Sequence, residues 1–385
     1  MSVVRGNWNY PTTVWAGPGR IAELPDACAK AGIRRPLLVT DQGLLGSAIV
    51  RRASELLRAP AVFGAVQGNP GAAHVAGGLD AYRGGQHDGV VAIGGGAALD
   101  TGKVVAFMSG QTRPLWDFED VGDWWTRAAV GGIAPVVAVP TTAGTGSEVG
   151  RAGVILNEAT HQKKIIFHPQ MLPRIVILDP ELTVGLPRAV TAATGMDAFV
   201  HCFEAYCAPG FHPLADGIAL EGMRIIATYL PRAYADGTDI EARAQMLAAA
   251  AMGATAFQKG LGAVHAIAHP VGSWFNTHHG LTNAVLLPYV MSFNRKAIDA
   301  NCAVIARVLG LAAPGFDGVF SWVLGLRRQL GIPHALAELG VTTDNAAVIG
   351  AEAAIDPSAG GNPVPVAAAD LERIFRAAVH GQLAG

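Results

Sequence analysis

Gly89-Val90-Val91-Ala92-Ile93-Gly94-Gly95-Gly96-Ala97-Ala98-Leu99-Asp100-Thr101-Gly102-Lys103 reads as a buried strand that breaks on three glycines and restarts as a helix. A strand this uniformly apolar suits a parallel sheet covered on both faces. The glycines matter chemically as well. Without a Cβ the backbone can approach a phosphate closely, and the unpaired N–H groups of the helix start favour its negative charge. The run is not the G-x-G-x-x-G fingerprint, and a bare triple glycine also serves as an ordinary tight turn.

Outward from this stretch, residues 36–41 and 135–140 are further apolar strands, and residues 49–57 and 75–83 are amphipathic segments between them. The alternation is that of βαβ units, which predicts an α/β dinucleotide-binding, Rossmann-like domain on a parallel sheet. Ligands in such sheets sit at the carboxyl ends of the strands. There the sequence places Thr141-Thr142-Ala143-Gly144-Thr145-Gly146-Ser147-Glu148, a second polar and flexible loop. Asp41 ends its strand where an acidic residue hydrogen-bonds a ribose diol, and a carboxylate there repels a 2′-phosphate, so NAD is expected over NADP. Capping of the following turn is the competing use of Asp41.

From about Pro187 the texture changes to long Ala- and Leu-rich segments at 213–230, 241–257, 297–309 and 368–379. Residues 1–186 are therefore expected to form the dinucleotide-binding domain and residues 187–385 an all-helical domain for metal and substrate. Asp197 and His201 are four apart and share a helix face. Four more histidines, His265, His269, His278 and His279, follow in a setting dominated by Gly, Ala and Val. A carboxylate with three imidazoles can enclose a divalent cation and leave a position open. His265 and His269 are also four apart, so spacing does not say which histidines are ligands.

A chain of 385 residues with 51% hydrophobic and 15% charged residues is globular and long enough for two domains. A net charge of −2 gives no electrostatic case for nucleic acid. The first eleven residues lack the apolar core of a signal peptide, and no apolar run is long enough to span a bilayer, so no membrane is expected. Cys28, Cys202, Cys207 and Cys302 have neither the density nor the spacing of a disulfide or zinc framework. Reduced thiols and a cytoplasmic location are the simplest expectation.

At this point four ordered motifs come together. The glycine turn with Asp100 and Lys103 is followed by the Pro140–Glu148 loop. Then come Val176-Ile177-Leu178-Asp179, Pro187, Asp197-Ala198-Phe199 and Glu204, and last Gly262-Ala263-Val264-His265, His269-Pro270 and His279-Gly280. Over essentially its full length the chain resembles the iron-containing (group III) alcohol dehydrogenases. The resemblance implies Asp197, His201, His265 and His279 as metal ligands, with Fe2+ the expected ion and Zn2+ the alternative. It implies His269 as the catalytic residue that handles protons, and leaves His278 as a neighbour. NAD is implied at Gly95, Gly96, Thr141, Thr142, Thr145 and Lys163, with Asp41 at the adenosine ribose.

The implied reaction is metal-assisted hydride transfer between NAD(H) and a small alcohol or aldehyde, in a homodimer or higher homo-oligomer. Two related readings stand beside it: a lyase resembling dehydroquinate synthase, and a polyol oxidoreductase resembling glycerol dehydrogenase. The chain departs from the family pattern at Ala97, where serine is usual. It also carries Arg151 and Lys259 where less basic residues are expected near a substrate pocket. Either cation could bind an acidic tail on the substrate, or pair with a local carboxylate.

Overall fold

The computed structural model describes residues 12–383. Residues 1–11, on which the expectation of no signal peptide rests, lie outside the described residues. The chain forms two compact units. One is built on a sheet; the other comprises the helices from Leu186 onward together with Ala143–Thr145.

The sheet unit runs β1 (Thr13–Ala16), α1 (Leu24–Ala31), β2 (Pro36–Asp41), α2 (Ala48–Leu56), β3 (Val62–Val66), α3 (Ala72–Gly84), β4 (Gly89–Gly94), α4 (Gly96–Met108), β5 (Val136–Pro140), β6 (Ala152–Asn157), β7 (Gln162–Phe167) and β8 (Ile175–Leu178). Six strands form one sheet in the order β1-β8-β5-β4-β2-β3, and every pairing in it is parallel. The α/β expectation is met, with twice the three strands read from the sequence. β4 and β5 are buried throughout, which is why their apolar runs were so plain. β1 at the sheet edge and β3 are short and partly exposed, and carry little pattern.

Leu38, Val91, Ile93, Val137 and Val139 pack with Leu24, Ala27 and Val50 of α1 and α2 on one face. On the other, α4 lies so close that a Cβ on Gly102 would meet the Ala92 Cβ at 2.7 Å. Each such apolar side chain contributes roughly 1.5–3 kcal/mol by leaving water. β6 and β7 pair separately as an antiparallel hairpin that the sequence reading did not anticipate.

Strand order reverses between β2 and β4: β3 lies outside the first and β5 outside the second. Such switch points are where open α/β sheets bind ligands. Asp41 ends β2 and the glycine turn ends β4 at this point. Gly94 has φ of +149°, and a Cβ there would come within 2.7 Å of Ala98 and 2.9 Å of the Asp41 carboxylate. Only glycine brings the turn this close to Asp41.

The helical unit comprises α5 (Arg188–Cys207), α6 (Pro213–Ala235), α7 (Ile240–Ala256), α8 (Ala263–Phe275), α9 (His279–Val308), α10 (Gly315–Gln329), α11 (Ala346–Ile355) and α12 (Ala368–His380). Helix α5 is buried along nearly its whole length and packs against α6, α7 and α9. A helix without a polar face is a core helix, so its Asp197, His201 and Glu204 are polar groups placed where water is scarce. Among the described residues no helix is long and apolar enough to cross a membrane.

Candidate metal centre

Asp197 and His201 come from consecutive turns of α5, His265 from the first turn of α8, and His279 from the first residue of α9. One possible ligand atom from each lies within 4.8 Å of every other. The approach of α9 to α5 depends on Gly280, where a Cβ would meet the Ala193 carbonyl oxygen at 2.6 Å and the Asp197 Cβ at 2.9 Å. The rings of His201 and His265 stack at 4.6 Å between centroids, and those of His265 and His279 lie tilted at 5.3 Å.

The groups behind this cluster orient it. Glu204, one turn beyond His201 on α5, accepts from His265 Nδ1 at 2.6 Å and from the Val264 backbone N–H at 2.8 Å. The first bond fixes the proton on Nδ1 and leaves the Nε2 lone pair free for another partner. Asn283, one turn after His279, places its amide nitrogen 2.7 Å from Asp197 Oδ1 and 3.1 Å from Nε2 of both His265 and His279. An amide nitrogen has two hydrogens for these three atoms. Electron-rich atoms thus converge here in excess of the donors that serve them, which is the demand a cation meets. One carboxylate and three imidazoles suit a borderline divalent ion such as Fe2+ or Zn2+.

Burial pushes His201 down to about 4, against the opposing charge of Asp197, so its imidazole is neutral near pH 7 as a ligand must be. Burial also lowers His265, but the Glu204 hydrogen bond and charge outweigh it and hold this histidine above its ordinary value. His269 lies outside the four-residue set, its ring stacked on His279 at 5.5 Å. Its Nδ1 is bound to Asp356 at 2.7 Å. His278 is exposed, and its Nδ1 accepts the Leu281 N–H as the cap of α9.

Comparison with known proteins agrees with this geometry. The sequence model of iron-containing alcohol dehydrogenases matches residues 11–180, and that of the C-terminal part of the Fe-containing alcohol dehydrogenase family matches residues 191–379. The chain belongs to the iron-containing alcohol dehydrogenase family. It is 39% identical over 378 residues to the 4-hydroxybutyrate dehydrogenase of Cupriavidus necator, covering 95% of this chain and 98% of that protein. Among solved structures it is similar to a 1,3-propanediol oxidoreductase, with a TM-score of 0.91, 34% identity and coverage of 97% and 99%. It is also similar to the sulfoacetaldehyde reductase of Bifidobacterium kashiwanohense in complex with NAD+, with a TM-score of 0.86, 27% identity and coverage of 97% and 99%. The chain is an NAD-dependent alcohol dehydrogenase and aldehyde reductase of this family, whose members work with a divalent metal.

In this family member the residues expected around NAD fall into two groups. Asp41, Gly95, Gly96, Thr141 and Thr142 gather at the ends of β2, β4 and β5: a Cβ on Gly95 would touch the Thr142 side chain at 3.4 Å, and the Thr141 N–H binds the Gly94 carbonyl at 3.0 Å. Gly95 caps α4 with no side chain in the way, so the helix start stays open although Ala97 replaces the usual serine. Asp41 does cap its turn, Oδ1 accepting from the Leu44 N–H at 3.0 Å. Burial raises its carboxyl, against backbone bonds from its own turn and from Gly95 of the glycine turn. Thr145 clusters with the helical unit, and Lys163 stands on the β6–β7 hairpin opposite Leu156.

Of the two basic residues, Lys259 is already engaged: its Nζ pairs with Asp216 at 2.5 Å and with the Tyr206 carbonyl at 3.2 Å. The Arg151 guanidinium lies over the Phe167 ring at 5.4 Å. Sequence reasoning did not find Asn283 or Asp356, and it met Glu204 only as part of a motif. A carboxylate three residues from a ligand on a buried helix was the available signal for Glu204. Asp356 is 87 residues from its histidine, and no spacing rule reaches it.

Proposed function

We propose that Asp197, His201, His265 and His279 hold Fe2+, with Zn2+ the alternative, and that the protein interconverts a short hydroxy acid with its aldehyde at the expense of NAD(H). The convergence of acceptor atoms on one point, with Glu204 fixing the His265 tautomer, is the observation that carries the metal assignment. When bound, the cation supplies Lewis acidity toward a substrate oxygen and NAD supplies the hydride acceptor or donor.

The chain's own residues do the rest. On this reading residues 1–186 serve the dinucleotide and residues 187–385 the metal and substrate. Asp41 serves the ribose, Gly95 and Gly96 form the open helix start that receives the diphosphate, and Thr141, Thr142, Thr145 and Lys163 complete the cofactor's surroundings. His269 takes up and returns the hydroxyl proton. Its side chain is 11% exposed against 2% for His265, which suits a residue exchanging protons with solvent.

The acidic substrate is supported by the relatives named for 4-hydroxybutyrate and sulfoacetaldehyde. With Lys259 neutralised by Asp216, Arg151 is the cation assigned to the acidic group. The four buried free cysteines accord with a reducing, cytoplasmic setting, and a homodimer or larger homo-oligomer is the assembly proposed.

Anaerobic purification, metal analysis and NADH oxidation across neutral and acidic aldehydes test this. Bound iron, stoichiometric NAD turnover and preference for succinic semialdehyde over butanal are expected, with that preference falling in Arg151→Gln. Equal rates on both aldehydes would remove the acidic-substrate reading. Turnover without net NADH consumption would instead favour the lyase.

A further inference from the structure

Helix α8 carries two histidines one turn apart, and each has a carboxylate on its Nδ1: Glu204 on His265 at 2.6 Å, Asp356 on His269 at 2.7 Å. Asp356 stands between α11 and the short turn Pro357–Gly361, and its side chain is only 8% exposed. Its two oxygens are divided. Oδ1 accepts the Ser358 N–H at 2.8 Å, which caps the turn, and Oδ2 faces His269. An ionised carboxylate only accepts hydrogen bonds, so the imidazole nitrogen facing it must carry a hydrogen. Burial raises the Asp356 carboxyl, but the charge and hydrogen bond of His269 with the bonds from Ser358 outweigh it, so the group stays ionised.

We propose that Asp356 is the positioning residue for His269, locking it as the Nδ1–H tautomer so that Nε2 is the nitrogen that takes up the substrate proton. The cap alone would explain one oxygen of Asp356; it does not explain the other. The inference rests on His269 being the proton-handling residue, and the two are separable by experiment.

Asp356→Asn is the discriminating variant because of how the oxygens are divided. The asparagine keeps Oδ1 for the Ser358 N–H and so retains the cap, but it presents an NH2 group to Nδ1. His269 must then accept at Nδ1 and carry its hydrogen on Nε2. Bound metal and the NADH dissociation constant should stay at wild-type values, while kcat falls on the order of 10²-fold or more and KM for the aldehyde changes little.

The tautomer itself is read by ¹⁵N NMR on the zinc-loaded protein with labelled histidine, the His269 signal being assigned by its loss in His269→Ala. Nδ1–H in wild type and Nε2–H in Asp356→Asn are expected. Nε2–H in wild type, or undiminished kcat in Asp356→Asn when His269→Ala is impaired, would overturn the proposal. Normal turnover in His269→Ala would instead overturn the proton-handling role, leaving the tautomer measurement to decide the positioning claim.

Discussion

Two buried polar clusters, one in each unit of the molecule, are built in opposite senses. In the helical unit, Asp197, His201, His265 and His279 converge with only the Asn283 amide between three of them. In the sheet unit the cation is part of the chain. Lys103, on the helix opened by the glycine turn, is 1% exposed, pairs with Asp100 at 3.3 Å, and donates to the carbonyls of Ser147 at 2.8 Å and of Ala152. Asp100 in turn accepts from Ser147 Oγ at 2.5 Å and from the Val154 N–H at 3.1 Å. The difference separates a brace from a ligand site. Around Lys103 a built-in cation meets the surrounding acceptors and the cluster holds a loop; in the helical unit the acceptors lack such a cation, and on the reading proposed above an ion supplies it.

Removing a member from each cluster should therefore break different things. His265→Ala is expected to lose bound metal and to lower turnover on the order of 10³-fold or more, while the helical unit keeps its melting behaviour in the metal-free state. Metal content by elemental analysis beside calorimetry checks both halves. Lys103→Met should do the reverse. It leaves Asp100 without its cation and removes the donor to the Ser147 and Ala152 carbonyls, a loss of about 3–5 kcal/mol in folding free energy with metal binding retained. If Lys103→Met spared stability and cost metal instead, the contrast between the clusters would be mistaken.

Glu148 sharpens the account of the sheet-unit cluster. It is fully buried near Lys103, and burial pushes its carboxyl up to about 7 although Lys103 opposes this. A folded value above the unfolded one means that the native state holds the proton to higher pH. That stabilising contribution is complete below about pH 4.5 and is lost as pH rises through about 7, amounting to about 3 kcal/mol. Glu148→Gln should match wild type at pH 4.5 and melt higher at pH 8. A constant difference between the two across that range would show that Glu148 is not the titrating group.

How much of this could be read from the chain follows the physics of each signal. β4 and β5 announced themselves because burial on both faces leaves no polar residue in the run, whereas β3 carries a glycine and the β6–β7 hairpin carries Lys163 and Lys164. The third segment expected as a separate helix, 297–309, is instead the end of a 30-residue helix that begins at His279, because Pro288 and the polar residues after it mask its continuity. Asp197 and His201 were legible as a pair, since a helical turn brings them together. Spacing left the later histidines unsorted; the family resemblance ranked them, and the fold supplies the geometric reason. His278 and His279 are adjacent in sequence, yet one caps α9 at the surface and the other faces the cluster. Asn283 and Asp356 come from surfaces that meet only after packing.

The smallest expected effect probes the surplus of acceptors most directly. Glu204 holds two groups, the Val264 N–H at 2.8 Å and His265 Nδ1 at 2.6 Å. In Glu204→Gln the carbonyl oxygen can keep the Val264 N–H and the start of α8, but the amide then faces Nδ1 with a donor. His265 is driven to carry its hydrogen on Nε2, the nitrogen that the cluster needs as a lone pair. Affinity for zinc, measured by competition with a chromophoric chelator, should fall by about 10–100-fold with the fold unchanged. The size of that loss separates two accounts of the centre. If the four ligands alone made the site, Glu204→Gln would bind zinc as wild type does; a tenfold loss without a change in melting temperature means that the second nitrogen of His265, which touches no ion, sets how well the first one binds.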